Sequence, residues 1–161
     1  YNCKPIKGTL QDLAADKKFS AILYIDVIEH VENDKVELDL AKQFLQEGGH
    51  LIILSPAYPF LFSPFDKAVG HYRRYNRKML QAVIPPGLQL ISIKYLDSTS
   101  VLASALNRWV LKQEYPTFKQ VKFWDNVLVP VSKLTDRLTA YSAGKTIVGV
   151  WQTPFTNNKS N

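Results

Sequence analysis

One cysteine, Cys3, and one methionine, Met79, are all the sulfur in this chain of 161 residues. A single thiol excludes an internal disulfide framework and fits a reducing compartment, so a cytoplasmic location is expected. No apolar run approaches the ~20 residues that span a bilayer, and no signal-peptide pattern opens the chain. Glycine is sparse: seven residues, at 8, 48, 49, 70, 87, 144 and 149, and none forms a G-x-G turn between a strand and a helix. Acidic residues are the minority charge, 14 against 20 Lys and Arg, for a formal net charge of +6. Such a balance attracts phosphate, carboxylate or nucleic acid, but an ordinary solvated basic surface also produces it. The basic residues gather in one loop, His71 to Lys78, rather than along a helix or strand. No nucleic-acid motif accompanies them, and nucleic acid is not expected as a partner.

The chain is organised around Phe19 to Val31. Ala21-Ile22-Leu23-Tyr24-Ile25 is a short apolar run of β-preferring residues that suits a strand buried on both faces of a parallel sheet. Asp26, Glu29 and His30 follow where that run ends, at the carboxyl edge where open α/β sheets bind ligands. Asp34 with Glu37 reads as a capping box, and Val36, Leu40, Ala41, Phe44 and Leu45 recur at helical spacing up to Gly48-Gly49. His50 to Leu54 is a second strand, stopped by Pro56, which completes a strand–helix–strand unit.

Residues 55–76 contain prolines and an aromatic cluster (Tyr58, Phe60, Phe62, Phe65) that oppose regular structure. A loop of that length inside a compact domain is expected to be functional. Asn76 caps a helix over 77–83, ended by Pro85-Pro86-Gly87. Leu90 to Leu96 is a strand with Ile91, Ile93 and Tyr95 on one face. Asp97 or Ser98 starts a helix with an apolar stripe from Val101 to Val110. Residues 113–123 read as a linker, 124–143 as a helix that Pro130 kinks or restarts, and 146–151 as a last strand. All 161 residues form one expected domain, with a polar, disordered tail over 156–161.

Ile25-Asp26-Val27-Ile28-Glu29-His30-Val31, preceded by Phe19-Ser20 and followed by Gly48-Gly49-His50-Leu51-Ile52-Ile53, resembles the middle of class I S-adenosylmethionine-dependent methyltransferases. Ser55-Pro56-Ala57, Asp66 and Gly70-His71-Tyr72-Arg73-Arg74-Tyr75 resemble a bacterial subgroup with a GHxRRY signature, and Gly144 to Val150 resembles that subgroup's last strand. The resemblance runs from about residue 8 to 151. It implies an α/β fold, part of a Rossmann-like class I methyltransferase domain with a mostly parallel sheet and flanking helices. It implies S-adenosylmethionine as cofactor and a small-molecule methyl acceptor. Matching begins near the third strand, so the first strands and their Gly-rich cofactor loop are expected to be missing. With Tyr1 in place of an initiating Met, a truncated polypeptide, inactive alone, is the expectation.

The same resemblance distributes roles. Thr9 and Leu10 fall where a pair flanks the adenine, although Thr9 offers no carboxylate. Tyr24, Ile25, Asp26 and His30 fall on the cofactor side, with Asp26 close to the methyl being moved; its structural rival is a cap on the following turn. Asp26, Glu29 and His30 together suggest a divalent cation, but a carboxylate–histidine hydrogen bond fixing the turn is the stronger reading, and no metal is expected. Tyr58, Asp66, Arg73, Arg74 and Tyr75 fall on the acceptor side. His71 has the imidazole range of a base that takes the acceptor's proton during an in-line displacement. Adjacent arginines suit an anionic acceptor, unless one pairs with Asp66 or Glu29 and pins the loop. The sheet edge or the 101–110 helix is the expected homodimer contact. The alternative is a non-catalytic methyltransferase-like remnant that binds a partner through its sheet edge.

Overall fold

The organising stretch becomes β1 (Phe19–Ile25) in the computed structural model of the chain, which describes residue 5 and residues 7–155. The 156–161 tail lies outside them. Helix α1 (Asp34–Gln43) then returns the chain to β2 (Leu45–Pro56), which pairs with β1 in parallel, Tyr24 beside Ile53 and Ile25 beside Leu54. Next come α2 (Pro64–Ala68), α3 (Arg77–Val83) and β3 (Gln89–Leu96). Helices α4 (Ser100–Leu106), α5 (Phe118–Phe123) and α6 (Val129–Leu138) precede β4 (Thr146–Gln152). The sheet order is β1-β2-β4-β3, with β4 antiparallel to both neighbours. The fold is therefore α/β with a mixed sheet: β1, β2 and β3 run one way and β4 opposes them. No described helix is long and apolar enough to cross a membrane.

Leu51, Ile53, Ile147, Trp151 and Tyr95 form the sheet side of the core, and Leu38, Ala41 and Leu80 of α1 and α3 close it. The expectation that β1 is buried on both faces fails. Tyr24 faces that core, but Leu23 and Ile25 on the opposite face are 54% and 53% exposed, because no described element covers them.

Other departures have local causes. Asp34 lies inside the first turn of α1, and its capping box with Glu37 does not form. Better donors take both carboxylates: Arg73 and the Tyr75 hydroxyl bind Asp34, and the Tyr24 hydroxyl binds Glu37 at 2.7 Å. Helix α1 stops at Gln43, ahead of the glycine pair, since the Phe19 amide already donates to the Phe44 carbonyl. Gly48 and Gly49 instead form the bulge between the Phe19–Leu45 and Ala21–His50 pairs. Gly48 has φ +67°, and a Cβ there would meet the Phe155 ring at 2.2 Å. Ile91 is 55% exposed, because β3 slips register between Leu90 and Ser92 and turns it out of the alternation. Residues 113–123 are not all linker: the Thr117 hydroxyl accepts from the Gln120 amide and starts α5. Irregular wide turns at Asn107–Leu111 and Trp124–Leu128 extend α4 and join α5 to α6, which ends at Leu138 rather than near residue 143.

Candidate active site

The long loop after β2 is folded by its own polar residues. Ser63 precedes α2, and Asp66 reaches back to accept from the Ser63 amide (2.8 Å) and hydroxyl (2.9 Å), the reciprocal pairing that starts a helix. Five residues later α2 ends in a Schellman arrangement. The His71 amide donates to the Asp66 carbonyl at 2.8 Å and the Gly70 amide to the Lys67 carbonyl at 3.1 Å. That motif needs a left-handed residue between them, and Gly70 supplies it at φ +83°. The turn delivers His71 back to Asp66, whose Oδ1 lies 2.8 Å from the imidazole Nδ1.

Asp66 is fully buried, and Arg74 clamps it with two prongs, Nε to Oδ1 at 2.8 Å and a terminal nitrogen to Oδ2 at 2.9 Å. Burial by itself would raise this carboxyl, but the Arg74 hydrogen bonds and charge, with His71 and the Ser63 amide, hold it below its ordinary value. Arg73 is engaged elsewhere: it pairs with Asp34 at 2.5 Å and donates to the Val31 and Glu32 carbonyls. Tyr75 is buried, and its hydroxyl donates to Asp34 at 2.8 Å; burial pushes that phenol well above its usual range. Arg73 and Tyr75 thus tie the loop to the start of α1, and Arg74 ties the loop's end back to α2. Tyr58, at φ +63°, stacks on Tyr95 (5.1 Å), packs at a tilt against Phe60 (5.2 Å), and does not line the cleft described next.

A cleft of about 360 Å³ opens at the carboxyl edge of β1 and β2, lined by Asp26, Glu29, Phe65, His71, Arg74 and Lys145 among others. Asp26 is exposed at φ +50°, and its amide donates to the Leu54 carbonyl, so the residue ends β1 rather than capping a helix. Glu29 is fully buried. Its Oε2 accepts from Ser55 at 3.0 Å, while Oε1 has no hydrogen-bond partner among the described residues and faces His71 Nε2 from 4.0 Å. Burial raises the Glu29 carboxyl above its ordinary value. Glu29, His30 and His71 each offer a ligand atom within 4.8 Å of the others, so a cation, if held, would sit among these three and not among Asp26, Glu29 and His30.

Thr9, Leu10 and Tyr24 meet in a second hollow of about 360 Å³, on the outer side of β1, with Ile22, Leu23 and Val27. Ile25 and His30 lie outside it. Asp12 does what Thr9 cannot: its carboxylate stands beside Thr9, accepting from the Thr9 amide and hydroxyl. S-adenosylmethionine fits this hollow only in part. Leu10 and Val27 give apolar walls, but Asp12 and Glu37 are engaged by Thr9 and Tyr24, and of the described glycines Gly8 alone lines it. Sequence reading missed Glu29 as an orphaned buried acid, Asp12 as a carboxylate and Lys145 at the cleft wall. Only Asp12 carried a signal, the T-x-x-D spacing of a capping box.

A mixed α/β sheet with its polar cleft at the carboxyl edge of parallel strands places the chain among Rossmann-like folds. The comparisons narrow this to the fold of S-adenosylmethionine-dependent methyltransferases. A SAM-dependent methyltransferase from Archaeoglobus fulgidus superposes with TM-score 0.52 at 15% identity, over 89% of this chain and 63% of that one. The cyclase SpnF gives 0.50 at 10% identity, over 92% and 54%. The MccD protein gives 0.49 at 14% identity, over 91% and 65%. The chain thus spans less than two thirds of these structures' lengths. No family model matches it, and no curated protein does.

Proposed function

We propose that this chain carries the acceptor side of an S-adenosylmethionine-dependent methyltransferase, with His71 as the group that takes the acceptor's proton. The observation that carries the reading is the pairing of Asp66 with His71 at the cleft. A buried, ionised Asp66 accepts from Nδ1–H at 2.8 Å and leaves the Nε2 lone pair directed toward Glu29 and the cleft. Arg74 keeps Asp66 charged, so the tautomer is held. S-adenosylmethionine, when bound, supplies the methyl group. An acceptor hydroxyl or amine lying between Nε2 and Asp26 would then lose its proton to His71 as the new bond forms. Arg73 and Arg74 support the loop in this reading and do not bind an anion, since their donors already have protein partners.

The test uses the whole protein. His71→Ala should lower turnover about 10²–10⁴-fold, with cofactor affinity by calorimetry and melting temperature hardly changed. Normal turnover in that variant would end the proposal.

A further inference from the structure

Next to the cleft lies a separate cavity of about 340 Å³, enclosed by α4, α5 and the loop before α2. Its walls are mainly apolar: Phe65, Ala103, Leu106, Pro116, Phe123 and Trp124. Apart from Ser104, the polar side chains on the wall are engaged with one another or with the protein. Asn107 Nδ2 donates to the Gln113 carbonyl and its Oδ1 accepts from the Gln113 amide. Gln120 Nε2 donates to Gln113 Oε1, and Ser63 donates to Asp66. Lys145 pairs with Asp97 at 3.6 Å and lies over the Trp124 ring at 5.2 Å. A guest therefore meets hydrocarbon and aromatic surface, with few polar groups left to satisfy.

The cavity and the cleft share two wall residues, Phe65 and Lys145. The chamber and the cleft are therefore adjacent, with the Phe65 and Lys145 side chains standing between them. We propose that this cavity receives an apolar arm of the methyl acceptor, while the acceptor's reacting polar group lies in the cleft beside His71. The substrate class is an amphiphile: a compact polar head joined to a hydrocarbon or other apolar arm. This rests on the acceptor reading above and adds the chemical class to it.

The experiment needs no methyl transfer. A series of 1-alkanols from hexanol to decanol, each below its solubility limit, is titrated into the 161-residue chain by calorimetry. Burial of each added methylene should tighten binding about three- to fourfold. Ser104→Trp, which fills the chamber, should flatten the series, and Leu102→Glu, 78% exposed and off the chamber wall, should leave it intact. If Ser104→Trp does not fold by circular dichroism, Ala103→Leu serves as the milder filling. A flat series in the unmodified chain overturns the proposal. So does a gradient that survives filling but disappears in Leu102→Glu, because that is adsorption to the outer helix surface. Repeating the series with the alkanols dissolved in phosphatidylcholine vesicles separates two sources: retained binding means the arm is drawn from a bilayer, and lost binding means it arrives free in water. Failure here leaves the His71 proposal standing, and failure of the His71 experiment leaves the chamber's binding untouched.

Discussion

Two buried carboxyls a few ångströms from the same imidazole are held in opposite ways, and each yields a test. Asp66 is paired by Arg74, so Asp66→Ala leaves a buried guanidinium without its partner and should cost about 3–5 kcal/mol in urea denaturation. Its carboxyl lies below its ordinary value, so its stabilisation is complete above that value and is lost as pH falls through the depressed one. Glu29 has the reverse sign. Its raised carboxyl means that ionisation opposes folding, so this residue's contribution worsens as pH rises from the ordinary value through the raised one. Glu29→Gln should therefore match or exceed the parent in stability at neutral pH, with the advantage vanishing below the ordinary carboxylate range. A parent more stable than Glu29→Gln at neutral pH would point to a cation on the orphaned Oε1, and midpoints at the two pH values decide it.

At the scale of elements, the loop after β2 shows what sequence can and cannot announce. Gly70 ends α2 and aims His71, so Gly70→Ala should cost about 1–2 kcal/mol for the left-handed backbone and reduce turnover of the whole protein through misplacement of the imidazole. Retention of full activity alongside lost stability would separate the turn from the chemistry. The strand–helix–strand unit, the Asn76 cap (Met79 amide to Asn76 Oδ1 at 2.8 Å) and the last strand were legible, because each rests on local periodicity or a local hydrogen bond. The bulge at Gly48-Gly49 was not, since pairing between Phe19 and Leu45 overrides a helix-ending reading of the glycines. The arginines were ambiguous for a similar reason. Whether Arg73 meets an acceptor or Asp34 depends on where residues far apart in sequence are brought together. The cavity under α4 and α5 was invisible, because apolar residues lining a chamber and apolar residues filling a core produce the same pattern.

For the molecule as a whole, β1 is the edge of the sheet and carries Leu23 and Ile25 on an uncovered face. Unpaired apolar edges associate, so light scattering of the 161-residue chain should show mass rising with concentration. Leu23→Lys should suppress that rise without lowering the melting temperature, and a monomer at all concentrations would remove the edge as a contact. The opposite side of the sheet carries a different burden. The last of the described strands, β4, lies between β2 and β3, with Gln152 paired to both His50 and Gln89. A ribosome working toward residue 152 therefore holds a nascent chain in which β2 is bonded to β1 alone and β3 has no strand neighbour, and the described sheet can close only when β4 threads between them. Such late, long-range closure slows folding and exposes backbone while it waits. In a cell, the interval between synthesis of β3 and release of β4 is when this protein most needs a chaperone.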